Sequence, residues 1–338
     1  MKINVLKIVR PIAMYIMLLL KPIIRLINWQ TIHAINVATE KEARTYAPAW
    51  LSKRLIKWGF IPGGFMKTPF GWGLVTGAFV TNDQIRESQE ICSSLNTSIS
   101  KYRAKRIALN GVIPSAFIKY DLFPEDEKFT KGDLGTIFML ADNINEILSR
   151  YEYTQNSPIA ILGCGFVGLN LAEYLLRINP SQRVYGFDFN HRTNRDINNF
   201  AFFGPEFEKI SDCKIVVLLT TEGDSGIETI FENLSKKTII LADTHPKVSS
   251  KMWKRIGNKD VIGFESAATA PGFRYYPHYQ GWDPTTIPGC VLQAILESAA
   301  GKVFSSQEEH DAFAKKSGFT GRLDVPRPLK ELVNNFSV

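Results

Sequence analysis

Cysteine, histidine and long apolar runs are all scarce in this chain, and each shortage removes a class of function. There are four cysteines and five histidines in 338 residues. Cys92, Cys164, Cys213 and Cys290 are widely spaced, form no CxxC pair and have no histidine cluster nearby, so no tetrahedral zinc site is expected. All four read as free thiols of a reducing compartment. Acid is missing from the start of the chain: the first acidic residue is Glu40, whereas Lys2, Lys7, Arg10, Lys21 and Arg25 place five positive charges before it. Most of the net charge of +7 is therefore N-terminal. No face interleaving aromatic and basic residues appears elsewhere, so no nucleic-acid partner is expected. The longest uninterrupted apolar run, residues 12–20, covers roughly 13 Å as a helix against a hydrocarbon core about 30 Å thick, which is too short to span.

What remains has the composition of a globular protein, 45% hydrophobic and 22% charged. A chain of 338 residues exceeds one ordinary core and suits two domains with an appendage.

The appendage is residues 1–30. On a helical wheel Lys7, Arg10, Lys21, Arg25 and Asn28 share a sector of roughly 60° opposite a wide apolar surface. The pattern predicts a helix lying in a membrane interface, kinked at Pro22, with its cations at anionic headgroups. A secretory signal, a true span and a helix packed on the protein's own body are the alternatives. No small-x-small cleavage site follows the apolar run, and the expected location is cytoplasmic, peripheral on the inner face of the membrane.

Residues 158–168, Pro-Ile-Ala-Ile-Leu-Gly-Cys-Gly-Phe-Val-Gly, form an apolar strand running into GxGxxG, and residues 169–178 continue as an amphipathic helix. Gly163 makes the tight turn, Gly165 lets backbone approach a pyrophosphate, and Gly168 lets helix pack on strand, while amides around Phe166 and Val167 face the phosphate charge. A second strand, residues 183–187, ends at Asp188. Strands at residues 214–220 and 238–242 with a helix at 226–234 extend a parallel sheet of Rossmann type. Thr220, Thr221, Thr244 and His245 stand at the carboxyl ends of those strands and become candidates for the nicotinamide side. Asp188 favours NADH through the ribose diol, whereas Arg192 and Arg195 favour NADPH through a 2′-phosphate, so NAD(P)H is the expected cofactor without a choice between them.

Ahead of this domain, residues 74–80 read as a strand, 83–95 and 102–108 as helices, and 129–136 as a loop entering a helix through Leu148. The expected fold is α/β: an amphipathic helix at 1–30, an α/β substrate lobe at 31–153, a Rossmann domain at 154–287, and C-terminal helices at 288–338 returning to the substrate lobe. Cys290 falls in the first turn of a helix opened by Pro288 and Gly289, where backbone amides lower a thiol pKa as a nucleophile requires.

The segments 108–115, 129–136, the strand-GxGxxG-helix unit and 289–301 together resemble the fatty acyl-[acyl-carrier-protein] reductase family, whose first lobe is similar to that of shikimate and amino-acid dehydrogenases. The resemblance implies an acyl-ACP or acyl-CoA thioester as substrate, attacked by Cys290, reduced to an aldehyde by NAD(P)H, with His245 as proton donor. Its alternatives are a dehydrogenase of a small polar substrate with Lys131 or Asp133 as acid or base, and a membrane-peripheral dinucleotide sensor without turnover. A homo-oligomer is compatible with either.

Overall fold

The computed structural model describes residues 6–124, 126–189, 197–277 and 283–329. Among the described residues, thirteen strands form two sheets. In chain order they are β1 (Trp29–Asn36), β2 (Ile61–Thr68), β3 (Gly71–Ala78), β4 (Ala104–Leu109), β5 (Phe129–Thr130), β6 (Ile159–Leu162), β7 (Val184–Phe187), β8 (Phe200–Gly204), β9 (Ile215–Leu218), β10 (Ile239–Ala242), β11 (Ile262–Thr269), β12 (Arg274–Tyr276) and β13 (Thr320–Asp324).

The contacts divide the chain into a first unit, Met1–Gly135 with Thr269–Phe319, and a second, Thr136–Ala268 with Thr320–Val338. These boundaries differ from the expected 153/154 and 287/288. The helix Asp133–Arg150 lies almost wholly in the second unit, and the helix Gly289–Ala300 returns to the first.

The second unit has the sheet order β13-β11-β10-β9-β6-β7-β8, in which β6 to β11 run parallel wherever they pair. This is the doubly wound order of a Rossmann domain, with the chain reversing direction across the sheet between β6 and β9. Its central strands Ile-Ala-Ile-Leu, Ile-Val-Val-Leu and Ile-Ile-Leu-Ala are buried at every position because helices cover both faces. The short unbroken apolar runs seen in the sequence have this cause.

The first unit carries the order β12-β2-β3-β1-β4-β5, parallel from β3 through β5 and antiparallel at the β2 edge. One face packs Ile32, Ala34, Leu74, Ile107 and Leu109 into a core with the helices Gln89–Ser100 and Ile113–Lys119. The opposite face carries Arg106, and the helix Gly289–Ala300 covers it.

Two expectations need correction here. The sequence pattern predicts a helix over residues 102–108, but 104–109 form the interior strand β4. Arg106 disguises it: its guanidinium lies 3.2 Å from Glu297, almost fully buried, so a charge occupies a core position that the sequence alone marks as surface. The second concerns the helix Leu6–Leu26. Its cations Lys21 and Arg25 do not point away from the protein: Lys21 is 5% exposed with Nζ donating to the Trp58 carbonyl, and the Arg25 guanidinium lies over the Tyr102 ring at 5.2 Å. Among the described residues, no helix is long and apolar enough to cross a membrane.

Candidate functional site

In the second unit the site grows from the turn after β6. Gly163 has φ +106°, a region that disfavours side chains, and a Cβ there would stand 2.8 Å from the Leu219 carbonyl. Its amide donates to Phe187 O at 2.9 Å, which fixes the turn against β7. Gly168 lies inside the helix Phe166–Ile178, where a Cβ would come within 2.2 Å of Gly163 O. The first and third glycines therefore serve packing.

Gly165 is different. It caps the same helix with ordinary φ and without any side-chain capping bond, and a Cβ built on it would meet nothing within 4 Å. The amides of the first turn thus adjoin open space, and the positive end of the helix dipole points towards it. Internal packing does not explain a glycine at this place; close approach by a ligand does, and a pyrophosphate fits it. Phe166 is largely exposed beside the turn and Val167 is half-buried.

Asp188 reaches across from the end of β7, its carboxylate accepting a hydrogen bond from the Cys164 amide at 2.8 Å. That places a negative charge beside the turn, where the ribose of a dinucleotide lies in folds of this order. The Cys164 thiol is pushed up to about 12 by burial and by Asp188, which keeps it neutral. Arg192 and Arg195 lie outside the described residues.

Thr220, beyond β9, spends its hydroxyl on the Glu222 carbonyl at 2.9 Å, and Thr221 is exposed beside it. Thr220 is thus a turn-forming residue. Beyond β10 stand Asp243, Thr244 and His245. The Thr244 hydroxyl is buried without a hydrogen-bond partner among the described residues, and His245 is half-buried. With Lys247, Glu265 and Ser266, Asp243 and Thr244 line a small depression at the carboxyl end of β10 and β11, where Lys247 pairs with Glu265 at 2.5 Å.

Asp243 is not among the residues the sequence pattern singles out. Withdrawal from water raises its pKa to about 6, only partly offset by Lys247, which makes it a carboxyl able to hold or release a proton near neutrality. A sequence signal exists, since it immediately follows a buried parallel strand, the position at which such folds place functional groups.

In the first unit, Cys290 occupies the first turn of the helix Gly289–Ala300, half-buried, with its Cβ 2.6 Å from where a Cβ on Gly132 would stand. Lys131 is exposed on the adjoining loop, and Asp133 is half-buried at the start of the helix Asp133–Arg150. On the same face of the sheet lies a residue that sequence reasoning misses: His33 of β1, 3% exposed, with Asn110 Nδ2 3.2 Å from Nε2 and the Tyr275 hydroxyl 3.2 Å from Nδ1. The Asn110 amide donates to Nε2, so the ring proton falls on Nδ1, facing the tyrosine oxygen. Nothing local in Thr-Ile-His-Ala marks this; the three residues meet only through the sheet. No cluster of histidine, cysteine or carboxylate among the described residues could hold a metal.

No family model matches the chain, and no curated protein matches it. Solved structures similar to it include a D-isomer specific 2-hydroxyacid dehydrogenase family protein from Klebsiella pneumoniae, 13% identical over 82% of this chain and 97% of that one, with a TM-score of 0.35. L-tryptophan dehydrogenase from Nostoc punctiforme is 14% identical over 85% of this chain and 87% of its own, TM-score 0.37. Dipicolinate synthase, A chain, from Bacillus subtilis is 12% identical over 85% and 98%, TM-score 0.35. Likenesses this weak carry no functional argument by themselves. They do correct one expectation, because these structures are not fatty acyl-[acyl-carrier-protein] reductases. The acyl-thioester chemistry assigned to Cys290 through that resemblance is withdrawn.

Proposed function

We propose that this chain is an NAD(P)H-dependent oxidoreductase acting on a small polar substrate of the hydroxy-acid or amino-acid kind. The observation that carries the reading is the open space at Gly165, bounded by uncapped helix amides and by the Asp188 carboxylate. Gly163 and Gly168 shape the turn, the amides at Phe166 and Val167 would hold the pyrophosphate, and Asp188 would accept the ribose hydroxyls. The cofactor, when bound, supplies or accepts hydride.

The residues of this chain then have to bind the substrate and manage one proton. Asp243 suits the second task, since a carboxyl with a pKa of about 6 exists in both forms at neutral pH. Lys247 lines the same depression, its charge paired there with Glu265.

The test is direct. Calorimetric titration with NADH and with NADPH comes first, followed by nicotinamide absorbance with a panel of 2-oxo acids, each with and without ammonium. Saturable cofactor binding together with substrate-dependent oxidation of the reduced nicotinamide supports the reading. A protein that binds neither nucleotide would end it.

A further inference from the structure

The helix Leu6–Leu26 presents an unusual surface. From Ile16 onward its outward side and the residue Ile27 after it are apolar: Leu19 is 79% exposed, Leu26 64%, Ile23 61% and Ile16 51%, with Leu20 and Ile27 beside them. Met17, Leu18 and Ile24 face the other way and pack into the first unit. Side chains of this size do not gather on an exposed surface without a partner. Lys21 and Arg25 are already engaged, at the Trp58 carbonyl and over Tyr102, so they are not what meets that partner.

Other cations stand around the helix. The turn Ile56–Trp58, held by Lys21, carries exposed Lys57 and an indole, Trp58, that is 53% exposed, and Lys53 is exposed one turn earlier. At the far end the Arg103 amide donates to the Arg25 carbonyl at 3.3 Å, which brings exposed Lys101 and Arg103 next to the end of the helix. The helix itself contributes no acid. An apolar stripe is thus flanked by positive charge and edged by a tryptophan.

We propose that this face docks on the surface of an anionic lipid bilayer, with the leucines and isoleucines in the acyl boundary and Lys53, Lys57, Lys101 and Arg103 at phosphate headgroups. Charge decides against a second copy of the chain as the occupant: two such faces brought together would oppose their own lysines, whereas a bilayer supplies apolar depth and negative charge at once. The helix lies along the surface, because its inner side is packed on the first unit through Met17, Leu18, Ile24 and the held cations Lys21 and Arg25. This inference is independent of the oxidoreductase reading, because it involves none of the residues of the nucleotide turn.

The experiment is co-sedimentation of the full chain with phosphatidylcholine vesicles, with and without phosphatidylserine, alongside the double variant Leu19→Glu/Ile23→Glu and the rim variant Lys53→Glu/Lys57→Glu. The parent should bind the phosphatidylserine vesicles and release at high salt. The apolar variant should lose roughly tenfold or more of its partitioning, and the rim variant should lose its preference for phosphatidylserine. Thermal melts and nucleotide titrations of each variant confirm that it is folded. Undiminished binding by the folded apolar variant, or no binding by the parent to either vesicle, overturns the proposal. So does a parent that sediments as a dimer, ignores vesicles and becomes monomeric in the apolar variant.

Discussion

The Asp188 carboxylate holds the Cys164 backbone amide at 2.8 Å, tying the end of β7 to the middle of the glycine turn. The charge that would meet a ribose is thereby positioned by the same loop that would meet the pyrophosphate. Asp188→Asn keeps an acceptor for the amide while deleting the charge. The expected result is a rise of about tenfold in the Kd for NADH and no rise, or a fall, for NADPH, since a hydrogen bond to a charged group contributes about 1.5–3 kcal/mol and a 2′-phosphate no longer meets repulsion. Fluorescence titration with both nucleotides measures the ratio; an unchanged ratio would remove Asp188 from the cofactor site.

The glycines at 165 and 168 are kept by different logic and should respond differently to alanine. Gly168→Ala drives a Cβ onto the Gly163 carbonyl and should lower stability by about 1–3 kcal/mol. Gly165→Ala has room and should cost no more than about 1 kcal/mol as an altered helix cap, yet nucleotide affinity should fall roughly tenfold. Chemical denaturation and nucleotide titration on both proteins separate the two effects.

Asp243 gives the fold an acid-side signature. Its pKa is raised in the folded state, so the folded protein binds the proton more tightly. The associated stability is present below the ordinary value of 3.8 and is lost as the pH rises to about 6. The amount at stake is at most about 3 kcal/mol. Denaturation midpoints measured across that window should fall with pH in the parent and stay flatter in Asp243→Asn. If Asp243 also handles the proton of the reaction, the limb of the kcat profile near pH 6 should vanish in the same variant while cofactor Kd is retained.

Lys21 gives the opposite signature at alkaline pH. Burial, with Arg25 and Lys101 nearby, lowers its pKa to about 8, so the folded state releases that proton earlier than the unfolded chain does. Stability should therefore rise as the pH climbs from about 8 towards 10.5. Lys21→Met should lose that rise, as melts at neutral and alkaline pH would show. A parent whose melting point is flat over this range would mean that the helix does not pack as described.

Much of the second unit is legible in the amino-acid sequence, because parallel strands buried on both faces leave short, unbroken apolar runs and the glycine turn has fixed spacing. Gly163, Gly165, Gly168 and Asp188 all stand around the turn, as that spacing implies. The first unit is less legible. Arg106 hides β4 because its charge is cancelled by Glu297, which lies far along the chain, and His33 gains its partners only when β1, β4 and the segment around Tyr275 come together. For Lys21 and Arg25 the helical period is plain and the facing direction is not, because periodicity shows that residues share a side without showing which side meets the protein. Asp243 follows a buried parallel strand, as Thr244 and His245 do, and its place there is legible; its altered pKa is not, since that comes from burial and not from a motif.

The chain passes between its two units at 135/136, 268/269 and 319/320, and β13 belongs to the sheet of the second unit although it follows the last segment of the first. During synthesis the Rossmann sheet therefore cannot be finished when its own contiguous segment has emerged. Its edge beside β11 stays uncovered until residues 320–324 arrive, by which time every segment of the first unit is available to fold. Completion of this sheet thus waits on a strand that follows every segment of the first unit, and a chain cut short after residue 319 would leave the edge of β11 open.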